Sequence, residues 1–264
     1  MADQIKVAVQ GVFGRMGRQV LETLCVEPDM DPVGAADLVA PDDTMDLPDG
    51  SGSIRLSKSI ADVIDGADVI VDFTSGDGPA HVIEAAAEQK VNLVIGSTGI
   101  PDQVIERARK LANENNIGIL IAPNFAIGGV VMIHLAKVAA RFFDYADLLE
   151  MHHENKIDAP SGTALAIARA AVEGRGDQFI ENVAEKELVQ GGRGASLDGV
   201  SIHSARMPGR VAHHELTFGH IGQTLTIRHD SINRDSFMPG VMMAVRAIRS
   251  RPGLTIGLDK IMGL

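Results

Sequence analysis

The 264-residue chain has a single cysteine, Cys25, so it cannot close an internal disulfide, and a disulfide scaffold is excluded. It has no uninterrupted apolar run of membrane-spanning length. Its first residues, MADQIKVAVQG, lack the cationic start and apolar stretch of a secretory leader and read as a strand from the outset. Positive charge is in deficit: 24 Lys and Arg stand against 35 Asp and Glu, a net charge of −11. Sequence-independent binding to nucleic acid runs on Lys and Arg contacts to phosphates, so that class fits poorly, and no membrane partner is expected. The same deficit means that an anionic substrate must be held by a local positive site. Repeats and low-complexity tracts are also missing. What is present is 45% hydrophobic residues, enough for a sizeable core, and the expectation is a cytoplasmic α/β protein of one large domain or two modest ones.

The first half alternates short apolar runs with helical spacing. IKVAVQG, DPVGAAD, ADVIVDFT, NLVIGSTG and IGILIAPNF read as buried strands. Between them, GRMGRQVLETLCVE carries Val20, Leu21, Leu24 and Cys25 on one helical face, and PAHVIEAAAEQ and PDQVIERARKLANEN read as further helices. Continuous apolar strands separated by helices imply a parallel sheet covered on both faces. Residues 38–53 are turn-rich and acidic and read as an exposed loop. After Asn124 the rhythm changes. A helix over about 128–143 leads to a strand at 146–152, then a helix from about Gly162, then a polar, Gly-rich stretch over 175–198 that reads as loop. GVSIHSARM, RVAHHELTFG and QTLTIRHD then look like consecutive strands of a meander, and SINRDSFMPGVMMAVRAIRS restores a helix with Ser231 or Asn233 as its cap.

The run VAVQGVFGRMGRQV places Gly11, Gly14 and Gly17 between the first strand and the first helix. Gly11 permits a tight turn, Gly14 lets backbone approach a pyrophosphate, and Gly17 allows close helix–strand packing; the helix N-terminus offers free N–H groups to an anion. The spacing is G-x-x-G-x-x-G rather than the commoner G-x-G-x-x-G. The context nevertheless suits a dinucleotide, because Asp37 stands 20 positions past Gly17 at the end of the second strand, where a ribose-binding carboxylate belongs. The loops Gly96-Ser97-Thr98-Gly99 and Ala122-Pro123-Asn124-Phe125 follow later strands. They would sit at the carboxyl edge of the sheet; taken alone, they read equally well as ordinary turns.

The stretch LLEMHHENKIDAPSGTALAIARA, residues 148–170, concentrates groups that a core strand does not need. On a strand His152 and His153 point to opposite faces, which predicts different roles. Lys156 follows four residues after His152 in a loop that can curl back. Ser161 is a candidate N-cap, and Gly162 and Thr163 then offer free backbone N–H groups to a carboxylate. Singly, these histidines and this lysine suit a solvated surface; together they suit proton transfer and anion binding. A metal is the competing reading, since HHE occurs at 152–154 and again at 213–215. Neither copy has the His-x-x-x-His spacing of a zinc protease, and a lysine in the pocket would repel a cation, so no metal is expected. His213 and His214 read as sheet residues near an interface.

Taken together, GVFGRMGR, VDFTS, GSTG, APNFAIGGVVM, HHENKIDAPSGTALAIA and FGHIGQTLTIRHDSINRDSFMPGVMMAVRAI resemble the dihydrodipicolinate reductase family over essentially the whole chain. The resemblance implies NAD(P)H-dependent reduction of a cyclic unsaturated dicarboxylate, 4-hydroxy-tetrahydrodipicolinate, in diaminopimelate and lysine synthesis. It implies a Rossmann-like parallel-sheet domain at 1–125, completed by 232–264, and a smaller α+β mixed-sheet domain at 126–231 that binds substrate and builds a homotetramer. His152 is implied as the acid/base residue and Lys156 as the proton donor. His153, Ser161, Gly162 and Thr163 are implied at the substrate. Gly11, Val12, Phe13, Gly14, Arg15, Met16, Asp37, Gly96, Ser97, Thr98, Ala122, Pro123, Asn124 and Phe125 are implied at the dinucleotide.

Family members that bind the NADPH 2′-phosphate often carry an arginine after the ribose acid; here Leu38 follows Asp37. Asp37 would repel a 2′-phosphate, whereas Arg15 and Arg18 near the glycine loop could partly offset that, so a modest preference for NADH over NADPH is expected. Two rivals remain. A semialdehyde dehydrogenase of similar architecture needs a catalytic cysteine, and Cys25 lies within the first helix. A nonenzymatic NAD(H) sensor would not need the His-His-Lys cluster.

Overall fold

The computed structural model describes residues 4–41, 43–181 and 183–264. The strands are β1 Ile5–Gln10, β2 Met30–Ala36, β3 Thr44–Asp46, β4 Ser53–Ser57, β5 Val69–Asp72, β6 Asn92–Ile95, β7 Gly118–Ile121, β8 Tyr145–His152, β9 Ala195–Leu197, β10 Val200–Arg206, β11 Ala212–His220, β12 Gln223–Ser231 and β13 Gly253–Ile256. The helices are α1 Arg15–Val26, α2 Gly78–Gln89, α3 Asp102–Asn115, α4 Ile127–Ala140, α5 Gly162–Arg175, α6 Met238–Ile248 and α7 Leu258–Met262. The chain divides into two compact units: residues up to Phe125 together with Phe237–Leu264, and Ala126–Ser236.

The first unit is built on an eight-stranded sheet of order β13-β7-β6-β5-β1-β2-β4-β3. All neighbours run parallel except β3, which pairs antiparallel with β4. Val7, Ala8 and Val9 of β1, Val69, Ile70 and Val71 of β5, and Leu93, Val94 and Ile95 of β6 are all fully buried. That is what a parallel sheet with helices on both faces requires, and it is why these strands read as unbroken apolar runs. Val82, Ile83 and Ala86 of α2 and Ala108 and Ala112 of α3 join one side of this core.

The elements at the sheet's edges were not legible. The stretch read as an open loop at 38–53 contains β3, paired Thr44↔Arg55 and Asp46↔Ser53, so part of it is a hairpin. β3 is an edge strand of three residues with two of them exposed, and it therefore leaves no apolar period in the sequence. β13 is four residues long and lies on the opposite edge against β7.

The second unit has a five-stranded sheet of order β12-β11-β8-β10-β9. The expected meander of three consecutive strands is corrected here. β10 does not pair with β11; β8 lies between them, parallel to β10 and antiparallel to β11. Arg206 and Ala212 both pair with His152, so residues 207–211 step across the end of β8 instead of making a tight hairpin. β8 takes the central position because Ala146, Leu148 and Glu150 must all be buried. Ala136 and Ala140 of α4 and Ile167, Ala168 and Ala171 of α5 pack with Leu148, Leu216 and Phe218 beneath this sheet. The polar stretch at 175–198 also holds the short strand β9. Ser231 ends β12 rather than capping α6, and a 3-10 turn at Arg234–Phe237 leads into that helix.

Among the described residues, no helix is long and apolar enough to cross a membrane.

Candidate active site

In the first unit, Gly11 has φ +79°, in the left-handed region that favours glycine. Its N–H donates to Ala36 C=O at 2.7 Å, and Gly14 N–H donates to Gly11 C=O at 3.0 Å. A Cβ on Gly17 would lie 2.0 Å from the Gly11 carbonyl oxygen, so only glycine lets α1 start this close to the end of β1. Gly14 is the N-cap of α1 and has no side chain to occupy the first-turn N–H groups. Asp37 takes the N–H of Phe13 at 3.0 Å on one carboxylate oxygen and that of Val39 at 3.3 Å on the other, which ties the end of β2 to the glycine loop.

Gly11, Gly14 and Asp37 line a groove of about 820 Å³, together with Leu38, Lys58 and Phe73. Arg15 and Arg18 are not among its walls. The lysine among its walls is Lys58, which follows β4, whose pairing with β2 was not foreseen. Gln10 also lines the groove and is buried, with its Oε1 unpartnered. A glycine cradle, a carboxylate and an unpartnered buried amide oxygen fit a dinucleotide.

Ser97 is buried and uses its hydroxyl within the protein, donating to Asp72 Oδ2 at 3.0 Å or Thr74 C=O at 2.7 Å. Asp72 is itself fully buried, and burial raises its pKa against the hydrogen bonds from Thr74 and Ser97. The side chain of Ser97 thus fixes the loop after β6, while Thr98 is exposed. Val12, Ala122 and Phe125 are buried, with the Phe125 ring 5.7 Å from that of Phe73, whereas Arg15 and Pro123 are exposed and Met16, Gly96 and Asn124 are half-buried.

In the second unit, strand register gathers the polar groups. Glu150 and His152 are two residues apart on β8 and share a face. His214 of β11 lies opposite Glu150, and Arg206 of β10 lies opposite His152. Glu150 is fully buried. It bonds to His152 Nδ1, accepts from Arg206 through two guanidinium nitrogens at 2.7 and 3.0 Å, and accepts the Ser161 N–H at 3.3 Å. Burial alone would raise its pKa, but the bonds from His152, Arg206 and Ser204 outweigh that and hold it at about 2, so Glu150 is ionised at neutral pH.

Ser161 caps α5: its hydroxyl accepts the Ala164 N–H at 3.1 Å and lies 3.2 Å from His214 Nε2. The first-turn N–H groups of Gly162 and Thr163 lie outside the intrahelical ladder, and Gly162 faces open space. β8 ends at His152, so His153 begins the loop, and its C=O accepts the Lys156 N–H at 3.2 Å. Lys156 is half-buried, with Nζ 2.7 Å from Asp158 Oδ1. His213 points to the other face of the sheet, with Nδ1 2.6 Å from Asp230 Oδ1. Among the described residues no cluster of three or more His, Cys, Asp or Glu could hold a metal.

Burial, then the neighbouring His152, pushes the His214 pKa down to about 4. The unfolded chain takes this proton near pH 6.5 and the folded chain only near 4. The contribution of His214 to stability is therefore complete above about pH 6.5 and is lost as pH falls toward about 4. His214→Gln should flatten the dependence of Tm on pH across that window, by the equivalent of ~2–4 kcal/mol at its acid end. Thermal unfolding from about pH 4.5 to 7.5 measures this. An unchanged slope would mean that His214 does not titrate in this way.

The chain matches the model of Dihydrodipicolinate reductase, N-terminus, over residues 5–125, and that of Dihydrodipicolinate reductase, C-terminus, over residues 128–262. The 4-hydroxy-tetrahydrodipicolinate reductase of Dehalococcoides mccartyi is 47% identical over 262 residues, covering 98% of this chain and 99% of the relative. That of Cutibacterium acnes is 44% identical over 263 residues, with 98% and 99% covered. A solved structure, the dipicolinate-bound dihydrodipicolinate reductase from Paenisporosarcina sp. TG-14, is similar with a TM-score of 0.84 at 38% identity, covering 98% of this chain and 99% of that one.

Proposed function

The chain belongs to the dihydrodipicolinate reductase family, and from that premise we propose that it reduces 4-hydroxy-tetrahydrodipicolinate to tetrahydrodipicolinate with NAD(P)H, a step of diaminopimelate and lysine synthesis. The observation that carries this reading is a set of buried, unpartnered nitrogens at one end of β8: Nδ1 of His153, Nδ1 of His214 and Nε of Arg206. They stand in the same unit as the open first turn of α5, and such a set suits a small dicarboxylate. The Paenisporosarcina relative is bound to dipicolinate, a compound of this kind.

The first unit is the dinucleotide-binding domain and the second the substrate domain. The backbone of Gly11–Met16 faces the pyrophosphate, Asp37 accepts from the ribose hydroxyls, and the loops at Gly96–Thr98 and Ala122–Phe125 complete the dinucleotide site. When bound, the reduced nicotinamide supplies the hydride. His152 acts as the acid/base residue. Lys156 donates a proton and offsets the negative charge that builds up as the substrate is reduced. His153 and the N–H groups of Gly162 and Thr163 hold carboxylates. The enzyme works in the cytoplasm as a homotetramer assembled through the second unit. The outer strand β12, nine residues long and exposed along most of its length, supports that assembly.

The preferred cofactor is NADH, by a modest margin. Asp37 repels a 2′-phosphate and Leu38 cannot offset it, whereas Lys58 on the same groove keeps NADPH usable. An exposed charge contact is worth about 1 kcal/mol, which sets the scale of the preference. Turnover of the dihydrodipicolinate synthase product with each cofactor tests both levels of the proposal. kcat/KM should be higher with NADH, and Leu38→Arg should raise NADPH efficiency while leaving NADH nearly unchanged. No turnover with either cofactor would sink the activity itself. A wild type that prefers NADPH by about tenfold, ~1.4 kcal/mol, would overturn the reading of Asp37 and Leu38 alone.

A further inference from the structure

Glu150 takes no part in the chemistry set out above, yet it is the most completely enclosed charge of the second unit. Its relative exposure is 0% and that of Arg206 and His152 side chains is 18% and 9%. An ionised carboxylate survives in such a place only when its oxygens are satisfied. One oxygen faces Arg206 at 2.7 Å and the Ser161 N–H; the other faces Arg206 at 3.0 Å and His152 Nδ1. Arg206 is anchored in turn by its bonds to the carbonyls of Ala205 and Asp158, both at 2.8 Å.

We propose that Glu150 is a positioning residue for the reduction: clamped by Arg206, it keeps the proton of neutral His152 on Nδ1 and so leaves Nε2 as the nitrogen that exchanges protons with substrate. The argument is one of tautomers. A neutral imidazole carries one proton and one lone pair. An anionic acceptor at Nδ1 fixes the proton there, and the ring can no longer turn without leaving the carboxylate unsatisfied. The bidentate guanidinium prevents Glu150 from taking the proton itself. The ring of His214, 5.4 Å from that of His152 and set edge-on at 78°, closes the third side. The groups facing His152 from the packed strands are thus Glu150 on its own strand, Arg206 on β10 and His214 on β11. Arg206 and His214 thereby gain a function in support of His152.

This inference rests on His152 being the acid/base residue, and its test is chosen to stand apart from the activity. The ¹⁵N chemical shifts of the imidazole nitrogens, in the full-length protein with labelled histidine, report the tautomer directly. Wild-type His152 in its neutral form should show a protonated Nδ1 and an unprotonated Nε2. Glu150→Gln should populate the other tautomer. It should also lower kcat by about 10–100-fold with KM for substrate and cofactor near wild type, and displace the acid limb of the kcat–pH profile. Glu150→Asp should recover part of the loss. An Nε2-protonated His152 in the wild type would overturn the proposal even if Glu150→Gln failed to fold. So would a folded Glu150→Gln with unchanged tautomer and kcat. Wild-type turnover is measured separately, so an inactive protein would count against the activity and not against the tautomer.

Discussion

Lys156→Ala is expected to lose about 10²–10³ in kcat while keeping its fold and its affinity for NADH. The fold survives because Lys156 belongs to the loop after β8, and its ion pair is with Asp158 in the same loop, whose side chain is 52% exposed. Pairs of this kind contribute at most ~1 kcal/mol. NADH affinity survives because the groove proposed for the dinucleotide is lined by residues of the first unit alone. Turnover does not survive, because reduction of the substrate builds negative charge that a nearby ammonium both stabilises and quenches with a proton. Steady-state kinetics beside NADH titration by fluorescence separates the three quantities. Wild-type kcat in the variant would make Lys156 an ordinary loop lysine whose work is to hold Asp158.

Gly17→Ala is expected to be among the most damaging single methyls in the first unit. The new Cβ would lie 2.0 Å from the carbonyl oxygen of Gly11, 2.6 Å from its carbonyl carbon and 3.0 Å from the Val12 Cα, all backbone. No side-chain rotation relieves such a clash, so α1 must shift away from the end of β1. Overpacking of this severity costs ~3 kcal/mol or more, which lowers Tm by roughly 6–12 °C in a domain of this size. NADH affinity should fall with it, since the displaced segment carries the N–H groups proposed to face the pyrophosphate. Gly52→Ala serves as the control, because nothing lies within 4 Å of the added atom. Calorimetry of both variants decides the matter; equal Tm values would show that the loop yields easily.

Much of the first unit was legible because its strands are short apolar runs, such as Val69–Val71, that only a doubly covered parallel sheet explains. The glycines and Asp37 could be placed for a related reason: each has a local steric or hydrogen-bonding purpose that shows in linear order. The second unit was harder to read. Pro208-Gly209 suggested a turn between neighbouring strands, while the pairing of β8 with both β10 and β11 is set by the burial of residues far away in sequence. Arg206 escaped notice for that reason, and His214 was read only as a sheet residue, since only the register opposite Glu150 and His152 gives them a role. Glu150 left a clue in LLEMHH, an acid on the same strand face as the following His152. Lys58 left none, because β4 alternates over only five residues and its neighbour β2 is distant in sequence.

The return of the chain's last residues to the first unit has a consequence for its biosynthesis. Arg246 of α6 holds Asp29 and Glu27 across 217 and 219 positions, and β13 supplies the outer neighbour of β7. As the polypeptide leaves the ribosome, β7 therefore emerges with one hydrogen-bonding edge bare, and its partner follows only after the second unit has been made. At about 5–20 residues per second that interval is on the order of ten seconds, long compared with the folding of most small domains. During it the nascent sheet presents an apolar rim to other chains, which makes this edge the place where a chaperone would bind and where ribosome stalling upstream of α6 would lead to aggregation.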